Sequence, residues 1–327
     1  MFYILIILSG LGKNDKYPLG MNMLYQAVRQ RGHTVADGFS KLLERVQPLD
    51  SEVGALKAHR ATIEQGLRAE FANFNRLTVI GSHTRDSAIQ VVSDVDYLAV
   101  VGRSDVTRGG DLVTSTTALG RVRSALQRRF PNTDIWLDGP AVIVGFGQGK
   151  GSVDVVPGFW QGTTAIDGYP KFAIPDAMGG WQLTSPQRHG KFVEQANQKS
   201  GYKLNRVAQL LKVWKHTRSP KIPFLGFHVE LLLGHEGVCV GPKGYGNCLF
   251  EAFVLLANRN GRALNDPLAI SPRIPIAYTD TQCKTLVNHA TFAAEHAARA
   301  LRAETEGDIN EAYRQWNLVF KGAFPAR

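Results

Sequence analysis

The sequence predicts an α+β protein of two lobes, a sheet-bearing lobe followed by a helical one. Three observations predict it. Short branched apolar runs bounded by glycine, proline and polar turns recur between residues 77 and 156, apolar residues at helical spacing flank them, and from residue 196 onward the periodicity is helical throughout. A chain of 327 residues with 44% hydrophobic content can bury one large core or two lobes that share a cleft. The expected division is residues 1–40 as an N-terminal extension with the start of a first helix, 41–195 as the sheet lobe and 196–327 as the helical lobe.

Taken in order, residues 2–8 form an apolar run of seven, far short of the ~20 residues that a membrane helix needs. No basic residue precedes it, as one would in a signal peptide. It reads as a buried strand-like extension or as an upstream start, with Met21 or Met23 the natural beginning; a short interfacial anchor is the lesser reading. Over residues 43–71, Leu56, Ile63, Leu67 and Phe71 recur at helical spacing among charged residues, which predicts one amphipathic helix. A strand over 77–80 ends at Gly81-Ser82, a polar turn covers 83–87, and a second strand is expected over 95–101. Leu119, Val122, Leu126 and Phe130 mark a helix closed by Pro131, after which 135–137, 141–144 and 153–156 read as strands, the last two joined by a hairpin turn at 148–151. From 157 to 181 few regular periods are visible, yet Phe159, Trp160, Tyr169, Phe172 and Trp181 are there to bury, so a structured crossing segment is expected. Leu204, Val207, Leu211 and Trp214 then form one helical stripe while Asn205, Gln209 and Lys212 share another face. Two more helices are expected over 290–303 and 311–320.

The charge balance, 38 Lys and Arg against 28 Asp and Glu, leaves +10. That surplus favours a polyanionic ligand without separating nucleoside triphosphates from DNA, RNA or an anionic membrane. Cys239, Cys248 and Cys283 are too few and too odd in number for a disulfide scaffold and fit a reducing cytoplasm. Together with His235 and His289 they lack any Cys-x-x-Cys pair, so they read as structural residues and not as zinc ligands. The arginines at 121, 123, 128 and 129 have no interleaved aromatics and read as a solvated helix face.

The chemistry concentrates in acids on strands. Asp94 and Asp96 stand two apart at the mouth of a strand, so their side chains leave on one face about 7 Å apart. On so apolar a strand they repel each other unless a cation neutralises them, and an all-oxygen donor set suits Mg²⁺. Asp154, set among branched apolar residues on a neighbouring strand, is the third candidate. Gly81 lets the backbone approach a ligand closely, and Ser82 offers both hydroxyl and amide to a phosphate. An isolated Asp-Val-Asp is usually a strand cap and a surface acid. The Gly-Ser turn before it and the strand acid after it make the functional reading the better one.

These residues together resemble the polymerase β-type nucleotidyltransferase superfamily, and within it the bacterial cGAS/DncV-like nucleotidyltransferases. The likeness runs from about residue 43 to 325 and includes the strand around Asp154, Ile174-Pro175-Asp176, Gly179-Gly180-Trp181, the segment 184–189, the helix carrying Lys212 and the closing stretch 307–325. It implies a bilobal nucleotidyltransferase with a mixed-sheet palm lobe and a helical C-terminal lobe. It also implies synthesis of a cyclic di- or trinucleotide second messenger from nucleoside triphosphates, ATP or GTP among them. Mg²⁺, or Mn²⁺ in its place, would be held by Asp94, Asp96 and Asp154. Ser82 and Lys212 would hold the triphosphate. Family members commonly place a phosphate-binding serine and a base-stacking tyrosine where this chain has Gly226 and Phe227, so that hydroxyl is missing here while Phe227 can still stack. The resemblance further implies a phage-defence setting, with an effector reached through the cyclic product and with neither membrane nor nucleic acid required. The competing readings are an RNA-end or other template-independent transferase and a catalytically silent nucleotide-binding module.

Overall fold

The computed structural model describes residues 34–50, 54, 58–90, 95–146, 151–176 and 178–326. The apolar run at 2–8, Met21, Met23, Leu56, Asp94 and turn residues 148–150 lie outside the described residues.

The sheet lobe begins with α2 (Arg60–Glu70), after α1 (Val35–Arg45). The single helix expected over 43–71 is therefore interrupted after Arg45, and among the described residues Asp50, Gly54 and Ala58 are helical again before α2. Pro48, which has no N–H to donate and disfavours helical geometry in the residue before it, stands three residues after the end of α1. Strands β1 (Arg76–Ile80) and β2 (Val95–Val101) come next, then a two-strand ribbon of β3 (Thr107–Arg108) and β4 (Asp111–Leu112). Helix α3 (Ser115–Arg129) leads to β5 (Asp134–Asp138), β6 (Ala141–Gly145) and β7 (Ser152–Thr163). The crossing segment is more regular than its sequence suggests, because β7 continues through Pro157 to Thr163 and β8 (Pro170–Pro175) and β9 (Trp181–Thr184) extend the sheet. Glycines, prolines and the mixed aromatics hide the period of two. Of the aromatics expected to be buried there, Phe159 and Phe172 are, whereas Trp160 is 61% exposed on β7.

The main sheet runs β1-β2-β7-β6-β5, with β8 on the far half of β7 and β9 beyond it. The pair β2–β7 is parallel and the others are antiparallel, so the sheet is mixed. Alternation along the strands separates its two faces. Val95, Tyr97, Ala99, Val101, Val142, Val144, Val153 and Val155 form one buried core with Ile63 and Leu67 of α2 and Ala118, Leu119, Val122 and Leu126 of α3. The other face carries Asp96 and Asp154 among small apolar clusters built on Leu98, Val100, Phe172, Ile143 and Val156. Arg121 and Arg128 of α3 clamp Glu70 of α2 at 2.9 and 2.7 Å, so this arginine face ties two helices together.

The helical lobe comprises α4 (Pro186–Lys199), α5 (Lys203–His216), α6 (Gly226–His235), α7 (Tyr245–Asn258), α8 (Asp280–Thr305) and α9 (Ile309–Val319). Its core includes Leu204, Val207, Leu211 and Trp214 of α5 together with Val193 and Ala196 of α4 and Val35, Phe39 and Leu42 of α1. The expected boundary at 195/196 falls inside α4. On α8, Ala290, Ala293, Ala297 and Ala300 recur at steps of three and four and are fully buried. Small side chains at that spacing let α8 lie close against α7 and α9. Among the described residues no helix is long and apolar enough to cross a membrane.

Candidate active site

Asp96 on β2 and Asp154 on β7 are register partners in the parallel pair, so their side chains leave adjacent strands on the same face. Ile80, the last residue of β1, pairs with Asp96 from the other side. The chain then turns through one short 3₁₀ segment, Gly81–Thr84. Gly81 has φ +77°, and a Cβ built there would stand 1.8 Å from Oδ2 of Asp96. The glycine is therefore required twice, for its left-handed backbone and for the room that the carboxylate occupies. Ser152 Oγ lies 3.5 Å from Asp154 Oδ1. Asp94, expected to act with these two acids, lies outside the described residues.

A cavity of about 410 Å³ opens between the lobes over this face. Gly81, Ser82, Asp96 and Asp154 line it from the sheet, and Lys212, Gly226 and Phe227 line it from the helical lobe. Two residues beyond the carboxylates on the same strands, Leu98 and Val156 make an apolar floor with Ile174. Phe227 is partly buried, with the Arg85 guanidinium 5.4 Å from its ring centre and the His189 ring perpendicular to it, the two ring centres 5.2 Å apart. Two hard oxygen donors on neighbouring strands, cradled by a glycine with no side chain, fit a small divalent cation such as Mg²⁺. Among the described residues no group of three His, Cys, Asp or Glu side chains converges, so Cys239, Cys248 and Cys283 belong to no such cluster. The thiols of Cys239 and Cys248 share a hydrogen bond in the interior, which raises the pKa of the first and lowers that of the second.

The polar stripe of α5 has a structural purpose that spacing alone did not disclose. Asn205 Nδ2 donates to the carbonyl of Arg85 at 2.7 Å, Gln209 Nε2 to that of Ala88 at 2.9 Å and Lys212 Nζ to that of Ser87 at 2.8 Å. One helix face thus fastens the loop that follows Gly81-Ser82. Lys212 also donates to Ser87 Oγ at 3.1 Å and to Glu230 Oε1 at 2.8 Å, so its ammonium is engaged with protein groups while it lines the cavity. Sequence reasoning left Glu230 unassigned. Its signal was a lone acid among Val229, Leu231, Leu232 and Leu233 on α6, since a carboxylate buried in such company must be paired. Lys215, His216 and Lys221, beyond Lys212 at and after the end of α5, also line the cavity.

Burial raises the pKa of Glu230, but the Arg85 and Lys212 charges and the hydrogen bonds from Lys212 and Ser87 outweigh it and hold the carboxyl at about 2. Burial, and then the neighbouring Lys215, Lys221 and Lys212, lower His216 to about 4; burial lowers His228 to about 4 against its hydrogen bond to the Ile274 carbonyl. In both cases the folded protein binds protons less readily than the unfolded chain, so stability falls as pH falls. The histidine contribution is complete above 6.5 and is lost on the way down to about 4; that of Glu230 is complete above 4.5 and is lost toward about 2. Thermal midpoints measured down this range are expected to decline in two stages, and Glu230→Gln makes the lower stage shallower, since Glu70, Asp266 and Glu311 are lowered as well. A midpoint independent of pH between 6.5 and 4 would contradict the histidine assignments.

A mixed sheet bearing carboxylates on its parallel pair, with a Gly-Ser turn beside them and a helical lobe closing the cleft, is the architecture of the bilobal cGAS/DncV-like nucleotidyltransferase fold. The sequence pattern of the Second Messenger Oligonucleotide or Dinucleotide Synthetase domain matches residues 34–197, and the chain belongs to that family. A probable cyclic nucleotide synthase of Bacillus cereus (strain VD146) is 26% identical over 174 residues, a match that spans 53% of this chain and about half, 51%, of that protein. Among solved structures, CdnC of E. coli MS115-1 with ATP is similar at a TM-score of 0.64 and 18% identity, covering 89% of this chain and 99% of that one. The apo form of Vibrio cholerae DncV is similar at 0.68 and 11% identity, covering 90% and 96%. At such identities the likeness to the solved structures is one of fold.

Proposed function

We propose that this chain joins nucleoside triphosphates, ATP or GTP among them, into a cyclic di- or trinucleotide second messenger and releases pyrophosphate at each bond. The observation that carries the reading is the register pairing of Asp96 with Asp154 on one sheet face, beside a glycine whose missing side chain leaves room for the carboxylate. The family description and the ATP in the similar CdnC support the substrate class.

Asp94, Asp96 and Asp154 would hold Mg²⁺ or Mn²⁺, which when bound increases the acidity of the attacking hydroxyl and offsets charge on the leaving oxygens. In each transfer a ribose hydroxyl oxygen forms a bond to the α-phosphorus of a second nucleotide, and the bond from that phosphorus to the pyrophosphate oxygen breaks. Asp154 orients the hydroxyl and accepts its proton. Ser82 and the amides of its turn hold the phosphates, with the positive field of Lys212, Lys215 and Lys221 behind them. Phe227 stacks on a base, and the apolar floor of Leu98, Val156 and Ile174 limits water. Ring closure requires the linear intermediate to turn in the cleft and present its remaining hydroxyl. The product would act in the cytoplasm through an effector in anti-phage signalling.

The test is to incubate purified protein with the four ribonucleoside triphosphates and Mg²⁺, treat with phosphatase and identify the products by mass spectrometry. Phosphatase-resistant cyclic di- or trinucleotides are expected. Extension of an added RNA end without cyclic product would assign the chain to the RNA-end transferases, and nucleotide binding without any joined product would mark a silent binding module.

A further inference from the structure

We propose that Glu230 is a positioning residue for nucleotidyl transfer, setting the phosphate-binding turn of the sheet lobe against the cationic end of α5; this rests on the nucleotidyltransferase reading above. Glu230 is fully buried on α6, and each of its oxygens is used. Oε1 accepts from Ser87 Oγ at 2.6 Å and from Lys212 Nζ at 2.8 Å, and Oε2 faces Arg85 Nε at 2.5 Å. Two of these partners, Arg85 and Ser87, belong to the turn that follows Gly81-Ser82. The carbonyl of Ser82 accepts from both of their amides, at 3.2 and 3.1 Å. A displacement of Glu230 is therefore transmitted through two side chains to the peptide of the residue assigned to hold phosphate.

The third partner explains why Lys212 behaves as a fixed charge and not as a flexible arm. An ammonium has three donors, and here they reach Ser87 O, Ser87 Oγ and Glu230 Oε1. Gly226 eases the approach, because a Cβ at that position would lie 3.1 Å from Lys212 Cε and press on it. The glycine that replaces the expected serine thus accompanies a lysine drawn toward Glu230. One carboxylate between two cations leaves a single positive charge at the cavity wall, held in place by groups that do not need to reorganise when a polyphosphate binds. Arg85, with Ile80, Leu98 and Pro186, lines both this cavity and a neighbouring one of about 540 Å³ that extends over β1 toward α4. Stability alone is a weak reason for such a cluster, since well-packed apolar residues often serve as well in place of a buried ion pair.

The experiment compares wild type with Glu230→Asp, which keeps the charge but shortens the arm, and with Glu230→Gln, which keeps the shape but loses the charge. Turnover is measured well below each variant's thermal midpoint. Positioning predicts that in Glu230→Asp kcat falls about tenfold or more while KM stays within about threefold, because a misplaced turn costs rate and not ground-state binding. A purely structural role leaves kcat of the folded fraction at the wild-type value. That result, or a raised KM with kcat unchanged, overturns the proposal. If Glu230→Asp does not fold, Glu230→Gln is held to the same criterion. Wild-type protein that makes no joined product overturns the nucleotidyltransferase reading instead, and is seen before any variant is compared. Amide hydrogen exchange across residues 81–87 then tests the tie directly, with unchanged rates in Glu230→Asp counting against it.

Discussion

Asp96→Asn is expected to lower product formation by about three orders of magnitude at saturating nucleoside triphosphate while leaving the protein folded. The substitution is isosteric, so the packing beside Gly81 is preserved, but the amide is a neutral and weaker ligand than the carboxylate it replaces. Asp96 and Asp154 stand at the same level on adjacent parallel strands, and their mutual repulsion is a standing cost in the protein without metal. Removing one charge relieves that cost. The thermal midpoint is therefore expected to hold or rise slightly as turnover collapses, the opposite of what a damaged core would show. Pyrophosphate release and differential scanning calorimetry on the same preparation check both halves. Wild-type turnover by Asp96→Asn would remove the carboxylate pair from the mechanism altogether.

The strands that carry the site were legible because they obey simple rules. β2 was predicted over its observed span, and alternation along it placed the acid at 96 opposite to Val95 and Tyr97, which enter the core. That Asp96 and Asp154 share a level could not be read from sequence. The shift between two parallel strands is fixed by the long connection between them, here through α3, β5 and β6, and no local spacing records it. The break between α1 and α2 had a visible cause in Pro48, but the helical spacing of Ile63, Leu67 and Phe71 had been extended across it. Strands β8 and β9 were missed for a different reason: their prolines, glycines and mixed aromatics obscure a period of two that tertiary pairing then imposes.

Glu230 shows a further limit. Periodicity marks it as an anomaly on an apolar helix, and burial rules require a partner, yet Arg85 and Ser87 lie more than 140 residues away in the chain. Spacing identifies which residues need a partner but not which residue supplies it. Lys212 was assigned to triphosphate for its place in a family pattern. The structure shows that the same ammonium satisfies a carboxylate and a turn, so its charge at the cavity wall is already oriented.

Gly81→Ala is expected to cost both stability and rate, and the two losses separate two physical roles. At φ +77° any side chain is strained, by about 1–2 kcal/mol. The larger effect is steric. The new methyl would stand 1.8 Å from Oδ2, 2.5 Å from Cγ and 2.8 Å from Cβ of Asp96, so the obstacle is the whole side chain and not a flexible tip. Either the turn backs away from β2 or the carboxylate swings out of its place above the strand. A displacement on the order of 1 Å at reacting groups costs about a hundredfold in rate, and that is the expected fall in kcat. Gly109 supplies the control. It has φ +62° in the ribbon between β3 and β4, with no atom within 4 Å of a Cβ built there. Gly109→Ala should therefore reproduce the stability loss from backbone strain while keeping wild-type turnover. If Gly81→Ala instead matched Gly109→Ala in both measurements, the close packing of glycine against Asp96 would have no part in catalysis.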